Sequence, residues 1–455
     1  MTKPNYDFFR AYDIRGIYPE EINEEVAYKV GRSFATLLHQ ENPGKKLKVV
    51  VSRDVRPSSE ELQAQVIKGF TDSGVDVVNI GLNSTPTLYF AVGYYGHDGG
   101  IQITASHNPS QYNGFKLVRA KARPVGEGAG MEELRELAET GNFFETDERG
   151  SVETFEQTLT DQIREALKQA DVKKIKPFKI VADAANSVGA LDMQAIFDQL
   201  PCELVPLYFE LDGTFPNHSA DPLVPENSLE LKKQIKTLKA DMGIALDGDA
   251  DRMFFYDETG HEVSQAIIRG LMAQIALKEN PGATVCYDIR PGKITKDMID
   301  EVGGKSVVTR VGHSLIKAKM EEVNAVFGGE SSGHYFYKSE YGTFDMPVVL
   351  LLKFLQYISE QNKPLSEIVK PYERYYHSGE INSDVEDKEG IMKEIAEKYN
   401  DAEISFLDGV TVTYDNFWFN VRPSNTEPKL RLNLEAVNPE LMAQKRDEVL
   451  AVIRK

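Results

Sequence analysis

The chain has 455 residues, enough for roughly three domains at ~150 residues each and for sizeable cores, and its 41% hydrophobic and 27% charged residues exclude a disordered or collagen-like chain. With 71 Asp and Glu against 52 Lys and Arg the formal charge is −19, a field that repels nucleic acid and anionic membranes. An anionic substrate must therefore be met by local clusters of basic side chains.

In chain order, the first segment interleaves Asp7, Arg10, Asp13 and Arg15 with aromatics and lacks the apolar stretch of a signal peptide. Residues 45–51 predict a strand. Behind Pro57, Ser58 and Ser59 ahead of Glu60 and Glu61 predict a capped helix. Further strands are predicted at 75–81 and 99–106, then at 178–185, 202–209, 242–247, 284–289, 306–311 and 325–330, with helical patterns between most of them. That alternation predicts α/β layers on parallel or mixed sheets. Cys202 and Cys286 each fall in a strand-like apolar run without CxxC spacing, which predicts buried thiols in a reducing compartment. The apolar run 346–352 is too short for a bilayer, which needs ~18 to 20 residues, so a cytoplasmic protein with no membrane partner is expected. Candidate boundaries lie at 141–150, 257–260 and 362–371. After Pro371, closely spaced strands at 410–414, 417–421 and 430–436, then a helix opened by Asn438 and Pro439, predict a small α+β unit.

Four segments carry chemistry. In Thr104-Ala105-Ser106-His107-Asn108-Pro109 a serine stands at a strand end on a turn, which suits a nucleophile or phosphate carrier, although an ordinary turn with a hydrogen-bonding serine is the plainer alternative. In Asp247-Gly248-Asp249-Ala250-Asp251-Arg252, three alternating carboxylates converge oxygen ligands on a hard cation, Mg²⁺ or Ca²⁺. An EF-hand is excluded because Arg252 occupies the position that needs glycine and the flanks read as strands. Without a cation, three adjacent carboxylates would repel one another. Gly328-Gly329-Glu330-Ser331-Ser332-Gly333-His334 offers hydroxyl-binding groups and an imidazole on a backbone that a sugar can approach, or is simply a glycine-rich loop. Arg422-Pro423-Ser424-Asn425-Thr426-Glu427-Pro428 is a rigid turn suited to cradling a phosphate. Neither a P-loop nor a dinucleotide fingerprint nor a zinc-type His and Cys cluster is present in the sequence.

Together, in this order and spacing, with Phe9-Arg10-Ala11-Tyr12-Asp13-Ile14-Arg15-Gly16 before them and Val311-Gly312-His313-Ser314-Leu315-Ile316-Lys317 ahead of the third, these segments resemble the α-D-phosphohexomutase family, in its phosphomannomutase/phosphoglucomutase branch. The resemblance spans essentially the whole chain. It implies three related mixed-sheet α/β domains plus a smaller C-terminal α+β domain around a central cleft. On this reading residues 1–150 form the phosphoserine domain, 151–257 the metal-binding domain, 258–370 the sugar-binding domain and 371–455 the C-terminal phosphate-binding domain. It implies interconversion of hexose 1-phosphate and hexose 6-phosphate, of mannose and glucose, through a phosphoserine and a hexose 1,6-bisphosphate that is intermediate and activator. Ser106 matches the phosphoserine, and Ser106, Asp247, Asp249 and Asp251 match the Mg²⁺ ligands, followed by Arg252. Glu330 and Ser332 match the sugar contacts, and Arg422, Ser424, Asn425 and Thr426 the distal phosphate site. Tyr12, Arg15, His107, Lys116 and His334 match other active-site positions, with Arg15, Lys116 and His334 implied to assist proton transfer. Arg290 and His313 are expected near the distal phosphate. Two positions depart from the family: Arg290 stands where these mutases usually carry lysine, and the Phe344-Asp345-Met346-Pro347 stretch lacks the usual acidic and glycine-rich form.

The chemistry explains the separation of sites. A phosphoserine carries about −1.5 to −2 charge, so a second dianionic phosphate is better held at a distant basic cradle. Competing expectations are a phosphoglucosamine mutase, a Mg²⁺-dependent sugar-phosphate phosphatase and a non-catalytic sugar-phosphate sensor. Glu330-Ser331-Ser332 and Asn425 argue against the first. A monomer or homodimer with no nucleic-acid partner is expected.

Overall fold

A computed structural model describes residues 6–290, 292–424 and 429–455. The chain forms two compact units, Met1–Val263 with Ser332–Ile368, and Ser264–Ser331 with Val369–Lys455.

The first unit holds two mixed sheets. In one, the strand Gly99–Ile103 is central, with Tyr112–Arg119 antiparallel on one side and Lys48–Arg53 parallel on the other. Ile14–Ile17 extends the antiparallel side, while Asp76–Leu82 and then Val152–Thr154 extend the parallel side. All five residues of Gly99–Ile103 are buried. Both faces of a central strand in such a sheet are covered, and its one polar side chain, Gln102, is buried with its Nε2 donating to the Asn83 carbonyl at 2.9 Å. The stretch 141–150 lies along this layer. Phe144 stacks on His39, its carbonyl accepts from Arg32 at 3.0 Å, and the Gly150 amide donates to Thr71 at 2.9 Å.

The second sheet runs Met253–Asp257, Met242–Leu246, Lys179–Asp183, Glu203–Leu207, the first pair antiparallel and the others parallel. Met242–Leu246 and Met253–Asp257 are buried throughout, Phe254 and Phe255 completely. Each such side chain contributes roughly 1.5–3 kcal/mol, so the acid-rich turn between the two strands hangs on a firm base. The unit also contains the hairpin Tyr335–Ser339/Gly342–Asp345. The apolar run at 346–352 opens the buried helix Pro347–Gln361, and no helix among the described residues is long and apolar enough to cross a membrane.

In the second unit, Thr284–Asp288 lies parallel to both Lys305–Thr309 and Phe327–Gly329, so the loops after all three leave one edge. Its other sheet is antiparallel: Lys429–Ala436 pairs with Phe417–Pro423, then Val410–Thr413 and Glu403–Ser405 follow, while Tyr376–His377 and Ile381–Asp384 pair the other side of Lys429–Ala436. The helix Pro439–Ile453 begins as expected, with the Asn438 side chain accepting from the Leu441 amide.

Two local expectations are corrected. The helix behind Pro57 exists, as Ser59–Asp72, but Ser58 makes no side-chain cap. Its Oγ accepts from Asn113 Nδ2 at 2.8 Å, and Ser59 Oγ donates to Asp54 Oδ1 at 2.7 Å, so one hydroxyl braces the strand Tyr112–Arg119 and the other the loop after Lys48–Arg53. Cys286 is buried in Thr284–Asp288 and free, but Cys202 precedes its strand and is only half-buried, because Glu203–Leu207 is the edge of its sheet.

Candidate active site

Because Lys48–Arg53 and Gly99–Ile103 are parallel, the segments beyond their carboxyl ends meet at one edge, the usual place for a ligand in such sheets. Ser106 sits there, fully buried, with a left-handed φ of 49°. That conformation costs of order 1–3 kcal/mol in a residue with a side chain, and its surroundings enforce it. The Ser106 amide donates to Thr104 Oγ1 at 2.9 Å, and Thr104 donates to Asp54 Oδ2 at 2.7 Å. Arg56, also buried, pairs with Asp54 at 3.0 Å. Its guanidinium donates to the carbonyls of Ser106 (2.8 Å), Asn108 (2.6 Å), Pro109 (2.7 Å) and Tyr112 (2.9 Å). One side chain thus holds the whole serine loop from behind.

The acid-rich segment is the turn of the hairpin Met242–Leu246/Met253–Asp257, and its carboxylates are all buried. Ser106 Oγ donates to Asp247 Oδ2 at 2.7 Å. Asp249 Oδ2 accepts from Thr85 Oγ1 at 2.5 Å and Lys116 Nζ at 2.7 Å, while Asp251 Oδ2 also pairs with Lys116. The remaining oxygens, Asp249 Oδ1 and Asp251 Oδ1, are buried with no hydrogen-bond partner among the described residues. One ligand atom from each of the three carboxylates lies within 4.8 Å of the others. Burial first, then Asp251 and Asp249, push the Asp247 carboxyl up to about 8. Orphaned oxygens converging in a buried, self-repelling set fit a hard divalent cation, which prefers oxygen ligands.

Around this cluster, Arg252 Nε donates to His334 Nε2 at 3.1 Å, and His334 Nδ1 bonds Asp345 Oδ1 at 2.9 Å and stands 3.6 Å from Asp251. That pattern places the ring proton on Nδ1. Burial opposes charge on this imidazole, but Asp251 and Asp345 outweigh it and raise its pKa. Burial likewise opposes the Lys116 charge and is outweighed by Asp249 and Asp251. His107, whose Nδ1 is 3.2 Å from Ser106 Oγ, is driven well below the usual range by burial and then by Arg252, Arg15 and Lys116. Arg15 pairs with Asp13 and donates to Asn108 Oδ1 at 2.7 Å. Tyr12 precedes the strand that carries Arg15, and Ser332 is buried at the start of the segment leading to His334.

In the second unit, Asp288, Glu330 and Gly312 emerge from the three parallel strands. Arg290 pairs with Asp288 at 2.5 Å and Glu330 at 2.9 Å, and Glu330 Oε1 accepts from the Gly312 amide at 3.1 Å. His313 opens the helix His313–Glu322. On the antiparallel sheet Arg422 stands directly opposite Arg431, and Glu380 lies between their charges, 2.8 Å from Arg422 and 3.4 Å from Arg431. Like charges at such positions are destabilising without that carboxylate. Lys388 Nζ donates to the Ser424 carbonyl at 2.9 Å. Asn425 and Thr426 lie outside the described residues.

The structure therefore gathers Arg15, Ser106, His107, Lys116, Asp247, Asp249, Asp251, Arg252 and His334 in one unit, and Arg290 with Glu330, and Arg422 with Ser424, in the other. Sequence reasoning missed Asp54, Arg56 and Thr85 in the first, and Arg269, Asp288, Glu380 and Arg431 in the second. The signal at Asp54 and Arg56 was available: a buried-type strand followed at once by an acid and an arginine. Thr85 carried none.

Four family models cover the chain: phosphoglucomutase/phosphomannomutase alpha/beta/alpha domain I matches residues 7–145, domain II residues 157–260, domain III residues 261–375, and the C-terminal domain residues 380–452. A phosphomannomutase of Vibrio cholerae is 36% identical over 457 residues, covering 98% of each chain. One of Methanocaldococcus jannaschii is 37% identical over 450 residues, covering 98% of this chain and 97% of the relative. The crystal structure of a phosphoglucomutase/phosphomannomutase family protein from Burkholderia thailandensis superposes with a TM-score of 0.91 at 30% identity, covering 99% of this chain and 97% of the other. Four α/β and α+β domains in the order expected from the sequence, matched over nearly the full length, place the chain in the phosphoglucomutase/phosphomannomutase family, and it is a mutase of the isomerase class.

Proposed function

We propose that the protein interconverts hexose 1-phosphate and hexose 6-phosphate, with mannose and glucose as the sugars, by way of a phosphoryl group carried on Ser106 and a hexose 1,6-bisphosphate intermediate. The observation that carries this reading is the Ser106 hydroxyl, buried and 2.7 Å from Asp247 at the edge of a carboxylate cluster in which two oxygens have no hydrogen-bond partner among the described residues. The phosphomannomutase names of the relatives support mannose, and the phosphoglucomutase/phosphomannomutase family models support glucose beside it.

In the forward half-reaction the P–Oγ bond of phosphorylated Ser106 breaks and a bond forms to a sugar hydroxyl oxygen, whose proton leaves. The second half-reaction returns the other phosphate to Ser106 Oγ and the proton to the sugar. Asp247, Asp249 and Asp251, with the Ser106 side chain, would hold Mg²⁺, which supplies positive charge against the transferring group when bound. Arg252, paired with His334 Nε2 and 3.7 Å from Asp247, offers a fixed cation for the developing charge. The Arg56 clamp keeps Oγ in one place, which matters because phosphoryl transfer is mostly positioning and electrostatics. We assign assistance of proton transfer to Arg15, Lys116 and His334 on their placement beside the serine loop and the acid turn. We assign substrate contacts on the serine side to Tyr12 and to His107, whose ring is 3.2 Å from Ser106 Oγ. We assign sugar hydroxyls to Glu330 and Ser332, and a phosphate ester to His313, Arg422, Ser424, Asn425 and Thr426.

The domain roles follow: 1–150 carries the phosphoserine, 151–257 the metal, 258–370 the sugar loop and 371–455 the distal phosphate site. The test is a coupled assay with Mg²⁺ and glucose 1,6-bisphosphate on the 1-phosphates of mannose and glucose and on glucosamine 6-phosphate. Isomerisation of the first two without release of inorganic phosphate supports the reading. Net hydrolysis, or preference for glucosamine 6-phosphate, overturns it.

A further inference from the structure

We infer that Arg290 is a positioning residue that fixes the Glu330 carboxylate for sugar recognition, and does not itself meet a phosphate; the inference rests on the reading that Glu330 contacts sugar hydroxyls.

Asp288 is the anchor. It is fully buried at the end of Thr284–Asp288 and gathers Arg269 Nη1 at 2.5 Å, the amide and the hydroxyl of Ser331 each at 3.0 Å, and Arg290 Nε at 2.5 Å. The residue next to Glu330 is thereby tied to the same carboxylate that ties Arg290. From that anchor the Arg290 guanidinium reaches Glu330 Oε1 with Nη2 at 2.9 Å. The same Oε1 accepts from the Gly312 amide at 3.1 Å, and Gly312 has a φ of 138°, which side-chain-bearing residues rarely adopt. Glu330 Oε1 thus accepts a hydrogen bond from an amide on one loop and has a guanidinium from another loop at ion-pair distance, held there by charge.

Charge and shape both favour this role over phosphate binding. Arg269 pairs with Asp288, and Arg290 with both Asp288 and Glu330, so each guanidinium already faces a carboxylate of the protein. A guanidinium can bond two carboxylates along different edges of one plane, whereas an ammonium is a point charge on a flexible stem. An arginine held between Asp288 and Glu330 is not free to follow a ligand, and it serves as a brace.

The test is a double-mutant cycle on kcat/KM for mannose 1-phosphate, using Arg290→Gln, Glu330→Gln and the pair, alongside competitive inhibition by inorganic phosphate and thermal midpoints. Arg290→Gln should lower kcat/KM by ~10-fold or more in the otherwise intact enzyme and by much less when Glu330→Gln is already present, as coupled contacts do. The inhibition constant of inorganic phosphate should hardly change. Arg290→Lys, which keeps charge and bulk, should show the same coupling and serves if Arg290→Gln does not fold. Additive losses, or a loss of phosphate affinity matching the loss of kcat/KM, overturn the inference alone. An unchanged kcat/KM in Glu330→Gln by itself overturns the sugar-contact reading and the inference with it.

Discussion

A side-chain carbon on Gly248 would stand 2.3 Å from the carbonyl oxygen of Ser106. The acid turn therefore touches the backbone of the serine loop, and neither loop has a flexible side chain at the contact that could give way. Gly248→Ala should separate Oγ from Asp247, destabilise the fold by roughly 1–3 kcal/mol, and cut turnover far more than that stability loss accounts for. Urea denaturation and steady-state kinetics on the same preparation check both parts.

Arg56 holds four carbonyls of the serine loop and balances Asp54. Removing the cation leaves a buried, unpaired carboxylate, so Arg56→Met should cost about 3–5 kcal/mol. Arg56→Lys keeps the charge but cannot reach four acceptors in a fork. It should fold with a smaller loss and a reduced kcat, and a KM close to the parent's marks the effect as positioning.

Thr85 orients Asp249 by donating to one carboxylate oxygen, and the other, without a hydrogen-bond partner among the described residues, is open to the proposed cation. Its amide also donates to the Asp249 carbonyl at 3.0 Å, so the turn stays in place when the hydroxyl is lost. Thr85→Val should weaken Mg²⁺ or Mn²⁺ binding by about 10-fold, measured by calorimetry, in line with other groups that orient metal ligands.

Asp192, on the helix Gly189–Phe197, is buried, and neither carboxylate oxygen has a hydrogen-bond partner among the described residues. Burial raises its pKa to about 7 in the folded chain, against the partial opposition of Ser84 and Thr87, from an ordinary value of 3.8. Between those values the folded state binds the proton that the unfolded state has lost, so the stability tied to this group falls as pH rises from about 4 to about 7 and levels off above. Asp192→Asn should remove that slope. At pH 8 it should be more stable than the parent by on the order of 4 kcal/mol, and at pH 4 nearly equal, as read from denaturation midpoints.

The residues legible in the sequence are those whose chemistry is local. Ser106 announces itself by its turn, and Asp247, Asp249 and Asp251 by alternation within one hairpin. Thr85 reaches Asp249 across 164 positions and Arg56 reaches Ser106 across 50, so no local pattern could reveal either contact. Arg290 is a middle case: its identity was noticeable, yet its tie to Glu330 depends on two parallel strands leaving the same edge. Ser58 and Ser59 looked like a helix cap because cap serines and loop-bracing serines are the same residues, and only Asn113 and Asp54 decide between them. The buried strands were readable from unbroken apolar runs, whereas Cys202 misled because an edge strand can carry the same composition.

The central claim is that Ser106 carries the phosphoryl group, and intact-protein mass spectrometry with peptide mapping tests it most directly. After incubation with glucose 1,6-bisphosphate and Mg²⁺, the parent should carry a single phosphoryl adduct on the peptide containing Ser106, lost on exposure to excess hexose phosphate. Ser106→Ala should carry none and should not isomerise mannose 1-phosphate. An adduct on another residue, or isomerisation by folded Ser106→Ala, would contradict the account.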